Sequence, residues 1–235
     1  MSDAICYLNG KYQPLDEACV PVLDRGFIFG DGVYEVIPVY AGKPFRLSHH
    51  LQRLSDSLAA IYLSNPLSDD EWAEKLQQVI DRNGDGDQSL YLQVTRGVAK
   101  RDHGFPGNIE PTVFIMSNPF KPVDTRLLED GVAAIILDDI RWQYCHIKSI
   151  ALLPNILLRQ QALDADAAEA ILIKDDKITE GAASNVFIVL DGILLTPPKD
   201  ECLLPGITRD LVVELADQHN IPCEQRDISR DELLR

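Results

Sequence analysis

Two amphipathic helices followed by an alternating strand place the strongest constraint on how this chain can fold. The segment after Ser48, a candidate N-cap, carries apolar residues at helical spacing: Leu51, Leu54, Leu58 and Ile61. Residues 68–71 (SDDE) form a capping box that predicts the start of a second helix. Apolar and polar side chains then alternate over residues 89–96, as in a strand with one buried face. Because each helix has a single apolar face, we expect both helices to cover a sheet.

Composition and charge exclude several classes of function for this 235-residue chain. The formal net charge is −15, whereas a surface that binds a nucleic-acid backbone needs clustered lysine and arginine. The five cysteines are widely spaced without a C-x-x-C pair, which is typical of reduced cytosolic thiols. No apolar run approaches membrane-spanning length, and the N-terminus lacks a basic or long apolar leader. We therefore expect a soluble, cytoplasmic protein that binds neither nucleic acid nor a membrane.

Two prolines within residues 118–122 separate halves of similar size and predict an interdomain linker. The predicted N-terminal domain, residues 1–117, begins with a hairpin at Asn9-Gly10 and has a glycine-rich turn at residues 24–32. The predicted C-terminal domain, residues 123–235, contains both strands and helices. Its predicted elements are strands at 132–137, 169–174, 186–190 and 193–196 and a helix at about 153–163.

A single lysine, Lys148, lies between the strand candidate at 132–137 and the helix that follows. A lysine between apolar neighbours is most often a surface residue at a strand edge. If the site is buried, desolvation lowers the pKa of the amine and leaves it able to attack a carbonyl carbon, as in a Schiff base. The residues around Lys148 do not decide between these two interpretations.

Two further regions contain candidate binding residues. Arg101 and His103 lie in the long loop 97–111 between two strand candidates, where they could grip a carboxylate or belong to a solvated charged loop. Arg53 lies off the apolar stripe of the first helix, which is typical of a solvated charge but also suits an anion ligand.

Residues 203–210 (LLPGITRD) form a turn into an amphipathic helix. Backbone N–H groups at such a helix start, together with the Thr208 hydroxyl, suit a phosphate, although an ordinary capped helix is the commoner explanation. The Lys148 amine, the Glu180 carboxylate and this helix start together match the needs of pyridoxal 5'-phosphate (PLP). This cofactor requires an amine for its aldehyde, a carboxylate at its pyridine nitrogen and a holder for its phosphate.

Segments along almost the whole chain resemble fold-type IV PLP enzymes of the branched-chain aminotransferase-like family, and specifically D-amino acid aminotransferases. They are DRGFIFGDGVYEV, RLSHHLQRL, YLQVTRG, DIRWQYCHIKS, ITEGAASNVF and LLPGITRD. The resemblance implies an α+β fold with an N-terminal α/β sandwich and a C-terminal β-barrel-like domain with flanking helices. It also implies a ping-pong transaminase that acts on D-amino acids, such as D-alanine or D-glutamate, and on 2-oxo acids. The resemblance further implies a homodimer whose active sites are shared between subunits.

The same resemblance assigns roles in cofactor binding. Lys148 is matched to the catalytic Schiff-base lysine, and Glu180 is matched to the residue that pairs with the pyridine nitrogen. The remaining cofactor-binding positions are Arg53, Ile207 and Thr208 at the phosphate and Leu204 against the ring. The resemblance implies no metal.

Three residues are matched to the site for the substrate α-carboxylate: Tyr34, with Arg101 and His103 contributed by the partner subunit. Branched-chain L-amino acid aminotransferases and aminodeoxychorismate lyases share the fold and the cofactor residues, so they stay open as alternatives. The R-x-H pair followed by Phe105-Pro106 favours the D-amino acid enzymes.

Two features depart from the family pattern. Pro38 stands where many relatives carry a polar or basic residue on the pocket strand, which is expected to alter side-chain preference. The chain also ends where the family continues for several tens of residues, through a Ser/Thr-rich strand that supplies another phosphate hydroxyl. The C-terminal domain is therefore expected to be shortened, and a catalytically inactive PLP-binding protein stays open as an alternative.

Overall fold

The structure is a computed structural model that describes residues 4–120 and 124–235. Contacts divide the chain into two compact units. Unit 1 comprises Met1–Pro122 and Ile147–Ala151, and unit 2 comprises Val123–His146 and Leu152–Arg235. Both units contain helices and strands, which confirms the predicted mixed α and β fold class.

Unit 1 is built on an antiparallel sheet of six strands in the order β2-β1-β6-β5-β3-β4. The strands are β1 (Ile5–Leu8), β2 (Lys11–Pro14), β3 (Gly32–Tyr40), β4 (Lys43–Pro44), β5 (Gln88–Thr95) and β6 (Thr112–Pro119). The predicted hairpin joins β1 to β2, with positive φ at Asn9 (47°) and Gly10 (91°) as a two-residue turn of this kind requires.

A short helix, α1 (Arg25–Phe29), occupies the glycine-rich stretch for which the sequence predicts only a turn. The Asp24 carboxylate caps this helix by accepting a hydrogen bond from the Gly26 amide at 2.8 Å. Gly30 ends it in the left-handed conformation, with φ of 67°. A capping aspartate and a terminating glycine thus support a helix that is too short for an apolar repeat to reveal.

Helices α2 (Leu47–Ala60) and α3 (Asp69–Arg82) pack on the sheet and form the main core of unit 1. The predicted capping box of α3 is confirmed, since Ser68 and Glu71 hydrogen-bond reciprocally. The prediction of Ser48 as the N-cap of α2 is wrong. Arg46, with φ of 51°, precedes that helix instead and makes no side-chain cap.

Residues Ile147–Ala151 join unit 1 because their backbone pairs with the first half of β3. Val33 and Ser149 form an antiparallel bridge. The Tyr34 amide donates to the Lys148 carbonyl at 3.0 Å, and the Ile150 amide donates to the Gly32 carbonyl at 3.1 Å.

Unit 2 contains two sheets of three strands, in the orders β7-β8-β9 and β10-β11-β12. Their strands are β7 (Ala134–Asp138), β8 (Glu169–Lys174), β9 (Lys177–Gly181), β10 (Ile188–Leu190), β11 (Ile193–Thr196) and β12 (Cys223–Gln225). Its helices are α4 (Thr125–Asp130), α5 (Leu153–Asp164), α6 (Ile207–Gln218) and α7 (Arg230–Leu233). One small apolar cluster, around Leu158 and Leu172, packs on the first sheet, and a second, around Leu195 and Ile228, takes residues from both sheets.

The predicted linker at residues 118–122 falls partly within the sheet of unit 1. Asn118 and Pro119 end β6, whereas residues 121 and 122 lie outside the described residues. The predicted domain division also assigns Ile147–Ala151 to the C-terminal domain, whereas these residues belong to unit 1. Their pairing with β3 joins segments far apart in sequence, and a local sequence pattern does not reveal such a pairing. Among the described residues, no helix is long and apolar enough to cross a membrane.

The backbone at the start of β3 leaves no room for a side chain at Gly32. A Cβ atom there would lie 2.6 Å from the Val94 carbonyl oxygen and 3.0 Å from the Ile150 side chain. We expect Gly32→Ala to lower the free energy of unfolding by about 1–3 kcal/mol, as overpacked sites do. Gly86→Ala is the matched control, because a Cβ at Gly86 meets no atom within 4 Å. Urea unfolding of both variants tests this, and equal losses would contradict the close approach.

Candidate active site

Lys148 is held by backbone contacts on both sides. Its carbonyl accepts from Tyr34 as described above, and its amide lies 3.2 Å from the Ser57 hydroxyl oxygen of α2, to which it donates. Its side chain is half-buried, and Nζ lies 4.2 Å from the centroid of the Tyr34 ring. The structure therefore places this lysine beside an aromatic ring in unit 1, not on an open strand edge.

A buried ion-pair cluster lies on the other side of β3. The Glu35 carboxylate is fully buried and accepts two hydrogen bonds from Arg53, from Nε at 2.8 Å and from Nη2 at 2.7 Å. His50 Nδ1 lies 2.8 Å from the same carboxylate. Burial alone raises the pKa of Glu35, but the hydrogen bonds from Arg53 and His50 outweigh it and leave the pKa below its ordinary value.

Arg53 is thus not the solvated charge that its place beside the apolar stripe suggests. His50, Arg53 and Ser57 recur at helical spacing and are all buried, forming a polar stripe along α2. Sequence reasoning missed Glu35 and His50. The alternation of β3 contained a signal, because Glu35 takes a core-facing position between Val33 and Ile37, where a charge needs a buried partner.

Tyr34 points to the opposite side of β3 from Glu35, in an aromatic group. Its ring stacks on Tyr91 of β5 with centroids 5.7 Å apart, and Tyr91 in turn lies 6.4 Å from Phe114 of β6. The Tyr91 hydroxyl donates to Gln93 Oε1 at 2.7 Å. Burial, with a smaller contribution from Tyr34, raises the pKa of Tyr91 to about 12, so this phenol stays neutral.

The loop between β5 and β6 carries Arg101 and His103, and both are exposed. They nevertheless share one neighbour, the ring of Phe29 at the end of α1. The Arg101 guanidinium carbon and the His103 ring centroid each lie 5.5 Å from the Phe29 ring centroid. The structure therefore brings these two predicted residues together in unit 1.

In unit 2, Glu180 at the end of β9 is buried and accepts hydrogen bonds at both oxygens. Oε1 pairs with Arg141 Nη1. Oε2 accepts from the Asn185 side-chain amide and from the Leu204 backbone amide, each at 3.1 Å. Leu204, matched by resemblance to the cofactor ring, is thus tied through its backbone to Glu180. Burial raises the pKa of Glu180 above its ordinary value, against the lowering effect of these donors.

Arg141 connects Glu180 to a second carboxylate and was missed as a site residue. Its Nε and Nη2 donate to Asp139 at 2.9 and 2.7 Å, and Asp139 also accepts from the Thr179 hydroxyl at 2.8 Å. Hydrogen bonds and charge interactions with Asp139 and Glu180 overcome the effect of burial and raise the pKa of Arg141. In the sequence, the only indication of a role for Arg141 is its place in a loop rich in polar and aromatic residues.

Helix α6 begins at Ile207, where the sequence predicts a turn into a helix. Gly206 is the N-cap and supplies no side-chain oxygen to the first amides of the helix. The amides of Ile207 and Thr208 come before the first intrahelical hydrogen bond, which runs from the Asp210 amide to the Gly206 carbonyl. Arg209 anchors this helix start, since its buried guanidinium donates to the Pro197 carbonyl at 2.7 Å and to Gln225 Oε1 at 3.0 Å. The Thr208 side chain is exposed, as a ligand-binding hydroxyl requires.

The family model for class IV aminotransferases matches residues 32–235. The chain belongs to the class IV aminotransferases. Its curated relatives include a D-alanine aminotransferase from Bacillus licheniformis, 40% identical over 226 residues that cover 96% of this chain and 80% of the relative. The family membership confirms that the protein is a PLP-dependent aminotransferase of fold type IV.

Solved structures extend the similarity to other members of the fold. A branched-chain aminotransferase from Thermoproteus uzoniensis superposes with a TM-score of 0.87 at 28% identity, covering 97% of this chain and 80% of that chain. A 4-amino-4-deoxychorismate lyase from Pseudomonas aeruginosa gives a TM-score of 0.83 at 29% identity, covering 97% and 83%. The fold is therefore shared by enzymes with different substrates.

The residues of this aminotransferase fit the cofactor that its family uses. Unit 1 has a primary amine beside an aromatic ring. Unit 2 has a buried carboxylate, Glu180, whose raised pKa indicates that burial outweighs its polar donors, so a cationic ring nitrogen would stabilise its charged form. Unit 2 also has a helix start without a side-chain cap, which suits a phosphate. Among the described residues no cluster suits a metal ion.

The buried Glu35 cluster makes the stability of unit 1 depend on pH. Because the pKa of Glu35 is lowered on folding, its contribution is present above the unfolded value, near 4.3, and is lost as pH falls through the folded value. We expect Glu35→Gln to lower the free energy of unfolding at pH 7 by about 3–5 kcal/mol, because Arg53 then lacks its anion.

Urea unfolding between pH 7 and pH 3 measures this effect. The difference between the wild type and Glu35→Gln should be largest at pH 7 and should shrink below about pH 4. Glu74→Gln, at an exposed position of α3, is the control and should change the free energy by less than about 0.5 kcal/mol. A difference that does not depend on pH would contradict the assignment of Glu35 as an ionised partner.

Proposed function

We propose that this aminotransferase transfers the amino group between D-amino acids, of the D-alanine or D-glutamate type, and 2-oxo acids by a ping-pong mechanism. The similarity to D-alanine aminotransferases at 36–40% identity over more than nine-tenths of the chain is the observation that carries the proposal. The loop supports it, because Arg101 and His103 both lie against Phe29 and present two cationic or hydrogen-bonding groups for a carboxylate.

Lys148 is the proposed catalytic residue. PLP, when bound, supplies an aldehyde carbon for an amine and an electron-withdrawing ring. Lys148 would hold the cofactor at that carbon, with the aldehyde oxygen released as water. Once substrate has freed the amine, Nζ would accept the proton removed from the substrate Cα and would be the group that donates it again. The Tyr34 ring lies against this amine, with its centroid 4.2 Å from Nζ, and the charge interaction with Lys148 helps to lower the pKa of Glu35.

Glu180 is proposed to hold the proton on the pyridine nitrogen. A carboxylate in this role must stay ionised and must keep its direction. The contacts to Arg141, Asn185 and the Leu204 amide fix both of its oxygens. The amides of Ile207 and Thr208, the Thr208 hydroxyl and Arg53 are proposed to bind the phosphate, and Leu204 is proposed to contact the ring.

Tyr34, Arg101 and His103 are proposed to bind the substrate α-carboxylate, with the last two acting on the active site of a partner subunit. This arrangement requires a homodimer, which we propose as the active form. We also propose that the enzyme acts in the cytoplasm, where free amino acids and 2-oxo acids are its small-molecule partners.

Replacing Lys148 tests the chemical step. We expect Lys148→Ala to lower the rate of transamination by at least about a hundredfold, because general acid–base catalysis is typically worth that much or more. Lys11→Ala, on an exposed strand residue, should leave the rate unchanged. Borohydride treatment followed by peptide mass spectrometry locates the lysine that carries the cofactor. A modified residue other than Lys148, or unchanged turnover of the variant, would contradict its role.

Paired enantiomers test the substrate class. With 2-oxoglutarate as acceptor we expect D-alanine to react and L-alanine and L-leucine to react far more slowly, and initial rates should give the parallel double-reciprocal lines of a ping-pong mechanism. A strict preference for L-leucine would instead indicate a branched-chain aminotransferase. Purified protein that gains no cofactor absorbance after addition of PLP would indicate an inactive relative.

A further inference from the structure

The loop that carries Arg101 and His103 is held by a buried arginine that none of the proposed roles uses. Arg25, at the start of α1, is 4% exposed. Its Nη1 donates to the Asp102 carbonyl oxygen at 2.7 Å and reaches the Gly104 carbonyl oxygen at 3.4 Å. These two carbonyls flank His103, so the guanidinium binds the backbone on both sides of one of the two proposed carboxylate ligands.

A carboxylate fixes the direction of this arginine. Asp31 Oδ2 accepts from Arg25 Nε at 2.7 Å and from Arg96 Nε at 2.8 Å. Arg96 is itself anchored, because its Nη2 donates to the Ile61 carbonyl at 2.7 Å. Asp31 thus connects Arg25, which holds the loop, to Arg96, which is hydrogen-bonded to the end of α2.

The aromatic ring of Phe29 completes the support. Arg25 lies 4.8 Å from the ring centroid, and Arg101 and His103 lie 5.5 Å from it, as described above. Arg25 and Phe29 are four residues apart on α1 and therefore lie on the same face of that helix. One turn of helix thus presents a hydrogen-bond donor to the loop backbone and a ring to the loop side chains.

We propose that Arg25 and Phe29 are positioning residues for the substrate carboxylate, acting through Arg101 and His103. This inference rests on the proposed function of those two residues. Exposed arginine and histidine side chains lose conformational entropy when they bind an anion, and a loop that is already fixed reduces that loss. Arg25 fixes the loop backbone, and Phe29 restricts the directions in which the two side chains can point.

A double-mutant cycle tests the proposal on the PLP-loaded enzyme. Arg25→Lys keeps the positive charge beside Asp31 but lacks the planar fork that reaches the loop carbonyls. We expect it to raise KM for D-alanine about tenfold and to change kcat and the Kd for PLP by less than twofold. In a background that carries both Arg101→Ala and His103→Ala the same change should raise KM by less than twofold, because the groups it positions are absent. Phe29→Leu should show the same pattern.

Ser117→Ala is the control for loss of a buried hydrogen bond in the same sheet. Its hydroxyl donates to Gln88 Oε1 at 2.5 Å, at the end of β5 and β6 away from the loop. The Ser117→Ala variant should lower the midpoint of thermal unfolding without changing KM for D-alanine. Equal increases of KM caused by Arg25→Lys in both backgrounds, or a parallel loss of PLP affinity, would overturn the positioning role. If Arg101→Ala alone leaves KM unchanged, the carboxylate assignment fails, and the inference fails with it.

Discussion

The pairing of Ile147–Ala151 with β3 is the interaction on which the site in unit 1 depends. These five residues follow β7 and precede α5 in sequence, yet their backbone bonds to a strand more than a hundred positions earlier. The pairing fixes Lys148 against the Tyr34 ring. Because neighbouring strand residues point to opposite faces, the same strand directs Glu35 toward the core, where it binds α2. A single strand thus supports both Lys148 on one face and the buried ion pair of Glu35 on the other.

Features controlled by local sequence were predictable, whereas those that depend on distant partners were not. The capping box at Ser68 and the Asn9-Gly10 hairpin follow from short-range hydrogen bonding, and the structure has both. The buried position of Arg53 follows from Glu35, a residue on another element, so the helical pattern alone suggested a solvated charge. Local patterns left the roles of the candidate site residues undecided, and the family resemblance was needed to propose a role for each. It did not indicate Arg141, whose role emerges only from its contacts.

The two buried glutamates show how similar partners produce opposite shifts of pKa. Arg53 gives two donors to Glu35, and His50 adds a third contact, so the ionised form is favoured. Arg141 divides its donors between Glu180 and a neighbouring aspartate, whose charge also repels Glu180, so burial dominates. The charge of the Glu35 carboxylate is therefore stabilised by groups of the protein itself. Glu180 still gains from an added positive charge, which is the property that a carboxylate facing a protonated ring nitrogen needs.

The loop that carries Arg101 and His103 is held in part through its main chain, so its side chains can change while that support remains. Arg25 binds the loop through main-chain carbonyls, which every residue type possesses. Side chains at Arg101 and His103 can therefore be replaced without removing the hydrogen bonds that fix the path of the loop. The fold is shared with a branched-chain aminotransferase and a lyase at 28–29% identity. A loop held in part through its main chain is therefore one place where members of this fold can differ in side chains while the strand framework is kept.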